Sequence, residues 1–395
     1  MRVGILGGGQ LGVMLAESLY ALNAEVALYE PAKGSPAERR LADVTCAAWD
    51  DAEALFAFFA RCDVVTYESE NIPTDPLRAL PESEQRKIRP GLHVLEIVQD
   101  RVEEKRFCAR AGLPTAAFRA LEEISELPGA AAELGFPFIL KTARGGYDGK
   151  GQWRVEGLRD LASLPPLRDH APGRFVIEEV VDLALEISVI VGRKVLPGGR
   201  DAVCAFPVFE NDHRDHVLDV TVVPARITED QAATATGLAV HAARELGVEG
   251  LITAEFFLCR SQGQGGAAEV DGLHLRLNEF APRTHNSGHV TRKSCTLSQF
   301  DQLARLLVGL EPGEPLLLPG GYAMAQLLGE VWEAQGREGM LDLTVWNAHP
   351  DVLEVNQYGK TAVRTKRKMG HFIARGDDAD GAERAARAFR DAISG

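Results

Sequence analysis

An apolar run, Val3 to Leu6, leads directly into Gly7, Gly9 and Gly12 in GxGxxG spacing, and no other feature restricts the fold so tightly. Glycines so spaced let a chain leave a strand by a tight turn and enter a helix whose first amides are open to a ligand phosphate. The apolar pattern predicts that helix over Leu11 to Leu22, then a second strand from Glu25 to Tyr29 that ends at Glu30. This is a βαβ start, and it directs the chain toward an α/β sheet. A later strand, Asp63 to Glu68, precedes a loop from Ser69 to Pro76. Alone, the segment suggests a dinucleotide site with Glu30 on a ribose, although GxGxxG by itself is a weak signal.

The 395 residues suffice for two or three domains with cores of their own. A content of 45% hydrophobic and 25% charged residues excludes a disordered or fibrous chain. No apolar run reaches the ~20 residues that span a bilayer, and the start MRVGILGGGQLG has no signal-peptide pattern. The net charge of −14 argues against nucleic acid as a partner. Cys46, Cys62, Cys108, Cys204, Cys259 and Cys295 lie far apart with no CxxC pair, which implies reduced, buried thiols in a cytoplasmic protein. Against the acidic background stands a basic cluster of Lys360, Arg364, Lys366, Arg367 and Lys368. It is either a solvated strand edge or a site for an anionic small molecule.

A charged helix is predicted over Asp100 to Ala111, stopped by Gly112 and Pro114. Beyond it, the strand Phe138 to Lys141 runs into a stretch, Thr142 to Gln152, with four glycines in seven residues. No Lys-Ser/Thr pair enters a helix here, so this is not a Walker loop. An extended pattern resumes at Trp153 and Val155, leaving a glycine flap that closes over polyphosphate or a glycine-rich hairpin without a ligand. Acids then recur in strand contexts: Glu178 and Glu179 end Phe175 to Val181, Glu186 opens a strand to Val191, and Glu255 and Glu279 stand in later strands. A carboxylate inside an apolar strand is costly without a compensating cation. The turn Ser261 to Gly266 lets Glu255 and Glu279 sit side by side, the oxygen set that Mg²⁺ takes along with substrate phosphates; structural salt bridges are the other reading. Short strands (Ala323 to Leu328, Val345 to Ala348, Val352 to Val355, Phe372 to Arg375) and a helix from Asp380 to Ile393 complete the chain, with linkers at Leu310 to Gly321 and Pro81 to Pro90.

The order of glycine turn, Gln-Asp-Arg-x-x-x-Lys helix, strand lysine, glycine flap, Glu-Glu strand end and late Asn-Glu resembles the ATP-grasp ligases. Within them, Gly9-Gln-Leu-Gly12, Gly145-Gly-Tyr-Asp-Gly-Lys-Gly-Gln152 and Ala281-Pro-Arg-Thr-His-Asn-Ser-Gly-His289 resemble the 5-(carboxyamino)imidazole ribonucleotide synthase (PurK) family, as do Ser298-Gln-Phe300, Tyr358-Gly-Lys360 and Arg367-Lys-Met-Gly-His371. The resemblance spans nearly the whole chain. It implies an ATP-grasp fold of mixed α/β and α+β class: an N-terminal Rossmann-like pre-ATP-grasp domain (1–100), an ATP-grasp domain (101–315) and a small β-rich C-terminal domain (316–395). The implied reaction carboxylates aminoimidazole ribonucleotide with bicarbonate and MgATP in purine biosynthesis, and the implied assembly is a homodimer.

Carried over by motif, Arg101, Lys141 and the flap Gly146, Tyr147, Asp148, Gly149, Lys150, Gly151 and Gln152 hold ATP phosphates. Glu178, Glu179, Val180 and Val181 match the adenine hinge, Glu186 the ribose acid, and His213 a nucleotide contact, with an exposed loop histidine as its alternative. Glu255 and Glu279, with Asn278 beside them, match the Mg²⁺ site. Gln10 and Leu11 at the helix N-terminus, with Lys360 and Arg367, match the ribonucleotide phosphate site. Tyr147 and Asp148 match positions beside the aminoimidazole, and Arg283, His285 and Asn286 the reacting centre. Glu68 matches a substrate-side acid or caps the following loop. Val13, Val290 and Lys366 depart from the family pattern, where arginine, an aromatic and glycine are expected. Rival readings are a formate-dependent glycinamide ribonucleotide transformylase of the same superfamily, an inactive nucleotide-binding scaffold, and a nicotinamide-dependent oxidoreductase.

Overall fold

The computed structural model describes residues 1–146, 150–164 and 174–395, so Tyr147, Asp148 and Gly149 lie outside the described residues. Four parallel strands in the order Val44–Thr45, Glu25–Tyr29, Arg2–Leu6, Val64–Tyr67 form the N-terminal sheet. The chain leaves Arg2–Leu6 through Gly7, at φ 100°, and enters helix Gln10–Ala21. That helix buries Leu11, Leu15 and Leu19 with Phe300, Leu303 and Leu307 of helix Gln299–Leu307. Ser18 Oγ donates to Asp301 Oδ1 at 2.7 Å across the contact, and Asp301 closes a capping box with Ser298.

Two antiparallel sheets follow. The smaller runs Phe118–Leu121, Phe175–Glu179, Phe138–Thr142, Gln152–Val155. The larger has ten strands, and its centre pairs Leu183–Val195 with Gly250–Cys259, which pairs in turn with Leu273–Ala281. It continues without a break into the C-terminal segment. Val217–Val223 pairs with Gly321–Leu328, which is followed in the sheet by Lys368–Gly376 and Val352–Gln357. Helix Ala379–Ser394 covers this end, with Phe389 edge-on to Phe372 at 4.8 Å. Arg226, beside the central strands, pairs with Glu210 and reaches Asp380 and Glu383 at 2.8 Å, so charge as well as apolar area ties the C-terminal helix to the sheet.

Several sequence expectations need correction. Residues Thr344–Ala348 form a 3₁₀ turn and no strand, because Asp342 Oδ1 takes the Thr344 amide at 2.9 Å and Trp346 Nε1 turns back to the Val352 carbonyl at 2.7 Å. The loop after Glu68 contains helix Thr74–Arg78. The Pro81 to Pro90 stretch is a packed element, with helix Glu82–Gln85 and a buried Ile88 bridged to Val65. Cys46 is exposed and Cys204 half-buried, whereas the other four cysteines are buried as expected.

Lys366 adopts φ 60°, the left-handed conformation that suits the glycine expected there. Its amide donates to Glu330 Oε1 at 2.9 Å, which fixes the turn despite the side chain. Lys366→Gly should therefore leave stability unchanged or raise it by up to about 1 kcal/mol, while Lys366→Val should lower it by about 1–2 kcal/mol. Urea unfolding of the two variants checks this contrast.

Candidate active site

The glycine turn does not present an open phosphate cradle. The Glu68 carboxylate occupies it, accepting the Gly12 amide at 2.6 Å and the Gly9 amide through its other oxygen. Burial is the largest influence on Glu68 and raises its pKa, although those two amides pull the other way. Glu30, the candidate ribose ligand, instead accepts the amides of Gly8 at 2.6 Å and Ala32 at 2.8 Å. With both acids committed to the backbone, the amides of Gly8, Gly9 and Gly12 are already taken and a dinucleotide pyrophosphate finds only Gln10 and Leu11 of this turn facing open space. These two face a cavity of about 690 Å³ shared with Glu68, Lys360, Arg364 and Arg367.

A second cavity, about 600 Å³, opens between the small sheet and the large one. Arg101, Lys141, Gly146, Lys150, Gln152, Glu186, His213, Glu255, Asn278, Glu279, Arg283, His285 and Asn286 all line it. Several of its basic side chains stand against acids. Arg101 Nη1 lies 2.8 Å from Glu279 Oε2, Lys141 Nζ 3.0 Å from Glu178 Oε2, and His285 Nε2 2.9 Å from Glu255 Oε1. Arg283 pairs with Glu70. His213 is on strand Phe209–Arg214, half-buried, with Nδ1 2.9 Å from Glu186 Oε2, so it is no exposed loop histidine. Burial lowers the His213 pKa, but the Glu186 hydrogen bond and charge outweigh burial and the net shift is upward.

The hairpin does bring Glu255 and Glu279 directly opposite each other, beside a bulge at Glu255/Phe256. Opposed residues of adjacent strands share a face. Burial opposes ionisation of Glu255, yet His285, His213 and Lys368 hold its carboxyl below the usual carboxylate range. Two carboxyl groups on one wall fit a hard divalent cation such as Mg²⁺. Glu186, His213 and Glu255 also approach one another within 4.8 Å.

The strand end Glu178 to Val181 divides its labour. The Glu178 side chain is buried behind Lys141, with Lys105 Nζ 3.6 Å from the same oxygen. Glu179 is turned away from both cavities: it pairs with buried Arg276 and accepts the amides of Ala117 and Gly265 at 2.8 Å and Gln264 at 2.6 Å. Its side chain thus clamps the Ser261 to Gly266 turn, and Val180 and Val181 follow half-buried, with none of Glu178 to Val181 lining either cavity. Gly151, at φ 70°, stands against Thr142 Oγ1.

The two cavities meet along Glu70, Asn71, Lys150, Arg283, Asn286 and Lys368, which line both. Glu70, Asn71, Glu104 and Lys105 are not among the sequence candidates, and Lys368 enters only as part of the basic cluster. Lys105 had a signal, as the lysine of Gln-Asp-Arg-x-x-x-Lys, and it is buried against Thr115 Oγ1 at 2.8 Å and the Asn278 carbonyl at 3.1 Å. Glu104 accepts the Phe280 amide at 2.7 Å, and burial, reinforced by Glu279, pushes its carboxyl up to about 8. Under the junction, the two most specific motifs touch: His289 stacks on His371 with ring centroids 4.5 Å apart, and Tyr358 Oη lies 2.9 Å from His371 Nδ1.

Models of three domain families match in succession: a ribonucleotide synthetase preATP-grasp domain over residues 1–99, an ATP-grasp domain over 106–300, and a phosphoribosylaminoimidazole carboxylase C-terminal domain over 323–385. The N5-carboxyaminoimidazole ribonucleotide synthase of Bacillus subtilis is 36% identical over 374 residues, 94% of this chain and 90% of that protein. The chain belongs to the N5-carboxyaminoimidazole ribonucleotide synthase family. The N5-carboxyaminoimidazole synthetase of Staphylococcus aureus, solved with ADP, superposes with TM-score 0.85 at 33% identity over 98% of this chain and 96% of that one. The Aspergillus clavatus N5-carboxyaminoimidazole synthase, solved with ADP and 5-aminoimidazole ribonucleotide, has TM-score 0.81 at 26% identity over 99% and 98%. The ATP-grasp fold with its pre-ATP-grasp and C-terminal companions is therefore established for this synthase-family chain. Among the described residues, no helix is long and apolar enough to cross a membrane.

Glu178 yields a pH prediction. Burial would raise its pKa, but Lys105, Lys141 and Arg101 hold it at about 2. A free glutamate titrates near ~4.3, so the stabilisation is complete above that pH and vanishes as pH falls through the folded value. Urea midpoints of the native chain should therefore exceed those of Glu178→Gln by a constant margin near neutrality. The margin should narrow between roughly pH 4 and pH 2.

Proposed function

We propose that this chain carboxylates 5-aminoimidazole ribonucleotide with bicarbonate at the expense of ATP, in purine biosynthesis, forming 5-(carboxyamino)imidazole ribonucleotide, ADP and phosphate. The observation that carries the reading is the junction of two cavities, one lined by ATP-grasp residues and one by a helix N-terminus and a basic loop, at shared Arg283 and Asn286. Family membership and the ADP and 5-aminoimidazole ribonucleotide complexes of related synthases support it.

The chemistry explains the architecture. Bicarbonate is a poor electrophile, and the ring amine is a weak nucleophile. Transfer of the γ-phosphoryl group to bicarbonate gives ADP and carboxyphosphate, whose phosphate is a good leaving group. The C–N bond then forms at the carboxyl carbon, directly or through released CO₂, as phosphate departs and the amine loses a proton. Water destroys such an intermediate, so both reactants must face one sheltered junction.

In this reading Arg101, Lys141, Lys150 and the glycine stretch hold the ATP phosphates, and Glu186 and His213 the nucleoside. Backbone at Glu178 to Val181 reads the adenine edge. Glu255 and Glu279, with Asn278 alongside, hold Mg²⁺, which offsets phosphate charge when bound. The amides of Gln10 and Leu11, with Lys360 and Arg367, take the ribonucleotide phosphate. Arg283 offers a planar fork to carboxyl or phosphate oxygens. His285, oriented by Ser287 Oγ at 2.8 Å and Glu255, is placed to move the proton, beside Asn286. Tyr147 and Asp148, matched to the aminoimidazole by resemblance, lie outside the described residues. Glu68 shapes the substrate side by holding the glycine turn. We assign three working units, 1–100, 101–315 and 316–395, in a cytoplasmic homodimer, which sedimentation tests.

The deciding experiment measures ADP release from MgATP and bicarbonate with and without 5-aminoimidazole ribonucleotide, beside a formate and glycinamide ribonucleotide control. Stimulation by the aminoimidazole with bicarbonate-dependent product supports the reading, and stimulation only in the control transfers it to the transformylase. Glu279→Gln should abolish turnover while the chain remains folded. Arg367→Ala should raise the KM for ribonucleotide about tenfold or more with little change in the KM for ATP, as loss of uniform phosphate binding requires.

A further inference from the structure

Asp100 lines neither cavity and yet bonds three segments on one side of the nucleotide site. Only 1% exposed, it precedes Arg101 at the start of helix Arg101–Arg110. Its Oδ1 caps that helix, accepting the amides of Val102 at 3.1 Å and Glu103 at 3.3 Å. Its Oδ2 accepts Arg144 Nε at 3.1 Å and Arg174 Nη2 at 2.6 Å. Arg144 begins the glycine stretch, and Arg174 precedes the strand that ends at Glu178 and Glu179. Backbone bonds complete the junction: the Arg101 amide donates to the Ala143 carbonyl and the Ala143 amide to the Arg174 carbonyl, both at 2.9 Å.

A helix cap requires only an acceptor oxygen, and asparagine or serine serves as well as aspartate. The negative charge at position 100 therefore needs another explanation, and burial makes it expensive unless cations compensate it. The two guanidiniums provide that compensation. They belong to the two segments that flank Arg101 across the phosphate end of the cavity. Charge-assisted bonds of this kind are about twice as strong as neutral ones and directional.

We propose that Asp100 is a positioning residue that registers Arg101 against the base of the glycine stretch through Arg144, so that both arms meet the nucleotide phosphates in one geometry. The proposal rests on the ATP-site reading above. Loss of the register weakens ATP binding and exposes the activated carboxyl group to water, so more ADP forms per carboxylated product.

The test uses Asp100→Asn, Arg144→Gln and Arg144→Lys in the full chain. Asparagine keeps the cap, and the Arg144 side chain is 58% exposed, so its replacement leaves the fold intact. Steady-state rates, the ratio of ADP to carboxylated product and calorimetric ADP affinity are measured for each. For Asp100→Asn we expect a KM for ATP raised about tenfold and an elevated ADP-to-product ratio, with the ribonucleotide KM unchanged. Arg144→Gln should follow in the same direction, and Arg144→Lys should restore part of the loss. Wild-type KM for ATP and wild-type stoichiometry in Arg144→Gln would overturn the proposal, including the case where Asp100→Asn merely unfolds. If the native chain forms no carboxylated product, the functional reading fails instead, and unchanged ADP affinity in the variants then sinks the positioning role separately.

Discussion

Charge pairing inside a low-dielectric cleft is the constraint on which the rest of this structure depends. Arg101, Lys141, Arg283, His285 and His213 each stand against a carboxylate: Glu279, Glu178, Glu70, Glu255 and Glu186. A cluster of basic groups able to grip polyphosphate would resist burial without those partners. The pairs also explain why acids recur inside apolar strands, where each would otherwise be destabilising. In the proposed reaction phosphate oxygens would replace those carboxylates on the basic groups, which would leave Glu255 and Glu279 to hold a divalent ion.

The large sheet makes that arrangement rigid. Its strands carry Glu186, His213, Glu255 and Glu279 at one end and continue into strands that support Lys368 and the basic loop at the other. The two cavities therefore share one hydrogen-bonded frame. The stacked rings of His289 and His371 lock the loop bearing Arg283, His285 and Asn286 to the C-terminal strands. Asp100 does the corresponding work on the nucleotide side, where the helix, the glycine stretch and the small sheet meet.

Much of the site was legible in the chain itself. The strand lysine Lys141 and the opposed Glu255 and Glu279 reach the cavity because alternation along a strand determines which side chains share a face, and Arg283, His285 and Asn286 of the loop that follows line it as well. The N-terminal glycine motif misled when read alone. Its spacing reports the turn, whereas Glu68, more than fifty residues later, decides whether the amides remain open. Glu179 likewise belongs to an apolar strand end by sequence but to a turn clamp in space, since its partner Arg276 lies on a strand of another sheet.

What the sequence alone determined is the order of elements, the family resemblance and the positions of the chemical groups, all set by local periodicity, turn residues and contiguous motifs. Only the tertiary structure decided which acid neutralises which cation, that two cavities meet at Glu70, Arg283 and Asn286, and that the third segment extends the sheet of the second. Those outcomes depend on contacts between residues far apart in the chain. A buried charge takes whatever partner folding brings within reach, and no local pattern encodes that distance.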